Sequence, residues 1–212
     1  MKQFLLKSGY IIVEPNIRGS SGYGRKYLDL DNRSKRMDAI RDIKELVKDL
    51  KKDKQINTKK LVVLGGSYGG YATLMSLVTY PRLWKAGIDI VGMSNLETFL
   101  EHTAKWRRVL REPEYGYLKT QRKLLKKISP IHFVNKIRAP IFIIQGKNDP
   151  RVPVEEAIQM FQKLVEIGKK RKQVSESKLL ILKNEGHGFS KRTTRLKVYH
   201  SMMIWLKEVL KD

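Results

Sequence analysis

The segment Gly65-Gly66-Ser67-Tyr68-Gly69-Gly70 follows the apolar run Leu61-Val62-Val63-Leu64 directly. It opens onto a helical pattern carrying Ala72, Leu74, Met75, Leu77 and Val78. A buried strand that turns through glycines straight into a helix is the unit from which parallel sheets are built. The turn also has the G-x-S-x-G spacing, in which a serine stands at a strained strand-to-helix corner. Glycines two places to either side are needed because the facing backbones pack too closely to admit a Cβ. Such a corner lifts the Ser67 hydroxyl off the sheet edge. It also aims helix N-terminal N–H groups, that of Tyr68 included, at any oxyanion that develops there. Alone the spacing is weak, since glycine and serine are common in loops; the flanking strand and helix give it weight.

The rest of the chain repeats the alternation of strand and helix, which argues for a parallel sheet covered on both faces. Tyr10-Ile11-Ile12-Val13 reads as the first strand, entered after Gly9, and a glycine-rich loop, Asn16 to Gly24, follows it. Ala39, Ile40, Ile43, Leu46, Val47 and Leu50 recur at helical spacing. The elbow helix should stop before Pro81. Further strands are expected at 86–91, 140–144 and 179–182, with helices from about Val154 to Gly168 and from about Arg192 to Leu210. Residues 93–135 break the rhythm, being helix-prone, basic and aromatic, and read as a helical insertion over the strand ends. One domain accounts for all 212 residues.

A serine at such a corner needs a base to take its proton and an acid to hold that base in the right tautomer. Of the four histidines, His102 lies in the insertion, His132 follows Pro130 and His200 lies inside the last helix. His187, in Glu185-Gly186-His187-Gly188-Phe189, sits just beyond the end of a strand, where open α/β sheets place functional groups. The acid candidate is Asp149, in Gly146-Lys147-Asn148-Asp149-Pro150-Arg151-Val152-Pro153. On local sequence alone an ordinary Asp-Pro turn or helix N-terminal cap is the favoured reading. Chain order decides: Ser67, Asp149 and His187 follow successive strand ends as Ser, Asp, His.

Composition narrows the alternatives. The absence of cysteine excludes disulfides and thiolate metal sites and suits a reducing, cytoplasmic setting. No metal or cofactor is expected, and no apolar run is long enough to span a membrane. The charge is unusual, 44 Lys+Arg against 21 Asp+Glu for a net +23. The basic residues fall in scattered clusters, at 51–54, 105–111, 119–127, 169–172 and 191–197, with no zinc, aromatic or helix-turn-helix motif beside them. They read as a solvated lysine-biased surface that gives salt-sensitive, non-specific binding to polyanions rather than a specific nucleic-acid site.

Together these motifs resemble the catalytic domain of prolyl oligopeptidase-type serine peptidases, nearest the acylaminoacyl-peptidase and dipeptidyl-peptidase branches. The matching residues are 15–24, Gly65 to Tyr71, Asn148 to Pro153, Glu185 to Phe189 and Leu110 to Gly116 in the insertion; Ile17 departs from the family's usual aromatic residue. The resemblance implies an α/β-hydrolase fold that hydrolyses short peptides through an acyl-enzyme. Ser67 would be the nucleophile, His187 the general base, Asp149 its orienting acid and the Tyr68 N–H one oxyanion donor. Arg18 either anchors the site or makes a structural salt bridge.

Two family features have no counterpart: the β-propeller, and the His-Gly-Gly-Pro loop that supplies the second oxyanion donor. By resemblance the first three strands are lacking, leaving five strands with a slot between the fourth (Tyr10 to Val13) and the fifth (Leu61 to Leu64). The expectation is an N-terminally truncated domain of weak or no activity alone, prone to self-association or to pairing with a missing N-terminal segment. An esterase-like hydrolase and a non-catalytic, polyanion-binding remnant are the competing readings.

Overall fold

The computed structural model describes residues 1–171 and 176–211. Lys172, in the fourth basic cluster, lies outside the described residues. The framework is a four-stranded parallel sheet: β1 (Val62–Gly66), β2 (Ala86–Ile90), β3 (Ile141–Gly146) and β4 (Lys178–Leu182), paired in the order β1-β2-β3-β4. Helices α1 (Lys2–Lys7), α2 (Arg25–Leu28) and α3 (Arg36–Leu50) precede the sheet. Between β1 and β2 runs α4 (Tyr68–Thr79), which ends two residues before Pro81. Between β2 and β3 stand α5 (Leu96–His102), α6 (Lys105–Tyr115) and α7 (Arg122–Lys127), followed by a short 3-10 stretch, Pro130–Lys136. Helix α8 (Val154–Lys170) joins β3 to β4, and α9 (Arg192–Val209) closes the chain.

Parallel strands need long crossovers, and here helices supply them on both faces of the sheet. On one face α3, α4, α5 and α8 cover Ile141 and Ile143 with Ile40, Leu74, Leu77, Phe99, Leu100 and Met160. On the other, α9 packs Val198, Met202, Trp205 and Leu206 against Ile88, Phe142 and Ile144. The Trp205 ring lies 5.5 Å from that of Phe142, and its indole N–H donates to the Glu176 carbonyl at 2.8 Å. Strand β3, with a neighbour on each side and a helix layer on each face, is buried at every residue.

The segment Tyr10-Ile11-Ile12-Val13 is the principal departure from the sequence reading. It belongs to no strand, so among the described residues the sheet has four strands, not five. Tyr10 donates its N–H back to the Leu5 carbonyl, and Ile11 is 63% exposed. Its β-branched residues have strand propensity, but a strand exists only by pairing, and no edge lies within reach. A cavity of about 590 Å³ separates it from β1, lined by Tyr10, Ile11, Val13, Leu61, Val63 and residues of α3. The slot between the expected fourth and fifth strands is open, and among the described residues the outer edge of β1 has no partner strand.

Candidate active site

Ser67 sits between the end of β1 and the first residue of α4 with φ 57° and ψ −115°, a conformation unfavourable for any residue with a Cβ. The packing explains the glycines. A Cβ on Gly65 would stand 2.1 Å from the Gly69 carbonyl oxygen, and one on Gly70 would stand 2.3 Å from Asp89 Oδ1. The strain is held by a hydrogen bond from the Ser67 N–H to the Ile90 carbonyl at 2.8 Å, which ties the corner to the end of β2. That bond commits the serine's own N–H. Tyr68 is the first residue of α4, so its N–H has no intrahelical acceptor and faces the same pole of the helix.

The three side chains expected from the sequence converge. His187 Nε2 lies 2.9 Å from Ser67 Oγ, and His187 Nδ1 lies 2.8 Å from Asp149 Oδ2. Each comes from the C-terminal end of a strand: Ser67 after β1, Asp149 after β3, His187 after β4. The Asp149 side chain is fully buried and that of His187 is 16% exposed. Asp149 Oδ1 accepts the N–H groups of Arg151 at 2.8 Å and Val152 at 3.0 Å, and Oδ2 accepts Gln145 Nε2 at 3.2 Å. Burial pushes the Asp149 carboxyl upward, but the His187 hydrogen bond and the two backbone donors outweigh it. They hold the group below the usual carboxylate value. The expected aspartate cap and the expected acid are therefore one residue: Oδ1 caps the turn and Oδ2 faces the histidine.

The loops that carry Asp149 and His187 are joined by backbone bonds. Lys147 N–H donates to the Leu182 carbonyl at 2.9 Å and Asn148 N–H to that of Glu185 at 3.0 Å, while Asn148 Nδ2 reaches the Lys183 carbonyl at 3.1 Å. Gly146 permits this approach, because a Cβ there would meet the Gly186 carbonyl oxygen at 2.1 Å. Glu185, almost fully buried, accepts the Ser190 N–H at 3.0 Å and closes the turn that carries His187. These supporting residues escaped the sequence reading; the spacing of Gly146 before Asp149 and of Gly186 before His187 was the signal for them.

A second unread feature lies behind the corner. Arg36 is completely buried, with its guanidinium 4.1 Å from the Tyr115 ring, 5.1 Å from that of Tyr68 and 5.7 Å from that of Tyr71. Asp31 at 3.4 Å balances its charge, and its Nη2 donates to the Glu114 carbonyl at 3.0 Å. It therefore links α3, α4 and α6 behind the residue that follows the serine. Arg18 makes a two-pronged pair with Asp42, at 2.6 and 2.9 Å, which is the structural salt bridge of its two readings. Of the other histidines, His132 approaches Glu97 at 3.9 Å, and none joins the triad. Among the described residues no three His, Asp or Glu side chains converge as metal ligands, and no helix is long and apolar enough to cross a membrane.

A parallel sheet with helices on both faces, a strained serine between β1 and α4, and the Asp149 and His187 loops after β3 and β4 define an α/β-hydrolase fold. The chain belongs to the prolyl oligopeptidase family of peptidases, whose family model matches residues 1–212. It is 31% identical over 216 residues to dipeptidyl peptidase family member 6 of Caenorhabditis elegans, an alignment covering 99% of this chain and 28% of that protein. It is 32% identical over 194 residues to dipeptidyl aminopeptidase BIII of Pseudoxanthomonas mexicana, covering 89% of this chain and 27% of that one. Among solved structures, the Pyrococcus horikoshii acylaminoacyl peptidase superposes with a TM-score of 0.83 at 25% identity, over 93% of this chain and 32% of that one. The chain thus spans between a quarter and a third of the length of these relatives.

Proposed function

We propose that these 212 residues form the hydrolytic unit of a serine peptidase acting on short peptides, one catalytic domain with the helical insertion at about 93–135 set over its strand ends. The observation that carries the reading is the unbroken hydrogen-bond chain from Asp149 through His187 to Ser67. Ser67 Oγ attacks the scissile carbonyl carbon while His187 Nε2 takes its proton. The carbonyl oxygen becomes an oxyanion that accepts the Tyr68 N–H. His187 then gives the proton to the leaving amine, and an acyl-enzyme remains on Ser67. Water enters, His187 takes its proton in turn, and collapse of the second tetrahedral species releases the acid and restores Ser67. Asp149 holds Nδ1–H toward itself, so that Nε2 is the free base, and stabilises the imidazolium of each step.

Because the Ser67 N–H is committed to Ile90, the elbow offers one oxyanion donor, that of Tyr68. One missing donor costs about 10²–10³ in kcat, so turnover by these residues alone is expected to be slow. The dipeptidyl and acylaminoacyl names of the relatives support short peptides as the substrate class, and the absence of cysteine agrees with a cytoplasmic setting. The test is covalent labelling with a fluorophosphonate. The chain should label at Ser67 more slowly than a full-length relative, and Ser67→Ala should abolish labelling. Absence of labelling in the unmodified chain overturns the reading. Hydrolysis of p-nitrophenyl esters without any cleavage of aminoacyl amides would assign an esterase instead.

A further inference from the structure

One face of β3 carries Ile141 and Ile143, and the same two-residue repeat then places an amide there, Gln145, as fully buried as they are. Its Nε2 has three acceptors, each at 3.2 Å: the Gly146 carbonyl, the Val152 carbonyl and Asp149 Oδ2. The amide therefore stands only one way round, because Oε1 turned toward the same three groups would face acceptors alone. Oε1 itself is buried without a hydrogen-bond partner among the described residues. A buried acceptor left open costs stability, and a methionine of similar length would fill the space without that cost. What the amide adds over an apolar residue is its donor.

The two oxygens of Asp149 are held differently. Oδ1 accepts the N–H groups of Arg151 and Val152, which fix the orientation of the carboxyl without help from Gln145. Oδ2 is shared by His187 Nδ1 at 2.8 Å and Gln145 Nε2 at 3.2 Å. The side chain is fully buried, so water does not dilute either contact. A second donor on Oδ2 takes up part of the charge that would otherwise act on the imidazole alone. The weaker that pull, the lower the pH at which the histidine is free to act as a base.

We propose that Gln145 is a positioning residue that acts through Asp149: its amide shares Oδ2 with His187 and so limits the pull of the carboxylate on the histidine, keeping the base available at lower pH. The proposal rests on the serine-peptidase reading. The bond from the same Nε2 to Val152 spans the turn that carries Asp149, so the donor and the carboxylate stay in register when the loop moves. Of the charged side chains that act on Asp149, His187 comes from the loop after β4 and Arg107 from α6. Both are kept in the variants below, so the effect of the amide is read against a constant background.

The test is the pH profile of fluorophosphonate labelling of the full chain, unmodified and with Gln145→Met. The midpoint of the rising limb should move up by about 0.5–1 unit, because a hydrogen bond taken from a charged group returns its charge to the partner that remains. The Nδ1–H proton resonance of His187 should move downfield in the same variant, a signature that needs no labelling. Gln145→Leu, which also lacks the donor but differs in shape, should give both shifts. An amide that is merely structural would lower the melting temperature and the labelling rate at every pH while leaving the midpoint in place, and that result overturns the proposal. A midpoint that moves down, or loss of the cooperative unfolding transition in both variants, overturns it as well. Failure of the unmodified chain to label rejects the serine-peptidase reading instead, and the resonance shift then decides by itself whether Gln145 shares Oδ2 with His187.

Discussion

The two halves of the site are built differently. The acid and histidine hang from β3 and β4, where β3 is buried at every residue and the two following loops are joined by backbone hydrogen bonds. The serine hangs from β1, none of whose residues is fully buried and whose outer edge faces an open cavity. What holds Ser67 is steric and internal: glycines at the corner, the Ser67–Ile90 bond, and α4, which is buried from Gly70 through Val78. A sheet can therefore position a serine at a strained corner from one side only, provided that the helix behind it is locked in the core.

Four substitutions and one titration sharpen this contrast. The largest effect belongs to the acid half: Asp149→Asn keeps the fold but favours the wrong histidine tautomer, with labelling and turnover expected to fall by about 10⁴. In the nucleophile half, Gly65→Ala drives a methyl into the Gly69 carbonyl, and thermal unfolding should report a loss of about 3 kcal/mol or more. Core truncations come next. Ile143→Ala in β3 should cost about 2–5 kcal/mol. Val63→Ala in the half-buried β1 should cost about 1 kcal/mol, and equal costs would mean that the β1 edge is covered in solution. Chemical denaturation of both variants decides it.

The last effect is a slope with pH. Asp89, fully buried beneath Gly70, is raised by burial from 3.8 to about 7. Its folded value lies above its unfolded one, so the unfolded chain binds fewer protons between those values. Stability falls as pH rises from about 4 to 7 and levels off above. Asp149 acts oppositely, since its contribution is present above the unfolded value and is lost as pH drops through its lowered folded value. Asp89→Asn should flatten the slope between about pH 4 and 7; an unchanged slope would place its origin elsewhere.

Most of this was legible in the sequence because strand ends, glycine spacings and chain order are local properties. The corner at Ser67, the two loops and helices α4, α8 and α9 follow from runs of neighbouring residues. What could not be read depends on partners far along the chain. Tyr10 to Val13 have the composition of a strand, yet a strand forms only against another edge, and composition does not report whether that edge is near. Arg36 reads as one more surface cation among 44 basic residues until Tyr68, Tyr71 and Tyr115 fold around it. Glu156, within the first turn of α8, reads as a solvated acid. It is buried, accepting N–H bonds from Ser94 and Asn95 at 2.9 and 2.7 Å, and so fastens the start of α5 to α8.

The joined acid and histidine loops make those two residues a single moving part. The 2.8 Å separation of Asp149 and His187 is set within the β3–β4 pair, whereas the 2.9 Å separation of His187 and Ser67 spans the width of the sheet. A rigid displacement of β1 with α4 would stretch the second gap and leave the first as it was. The His187–Ser67 contact, not the His187–Asp149 contact, is thus the distance through which the site would register any change at the edge of the sheet.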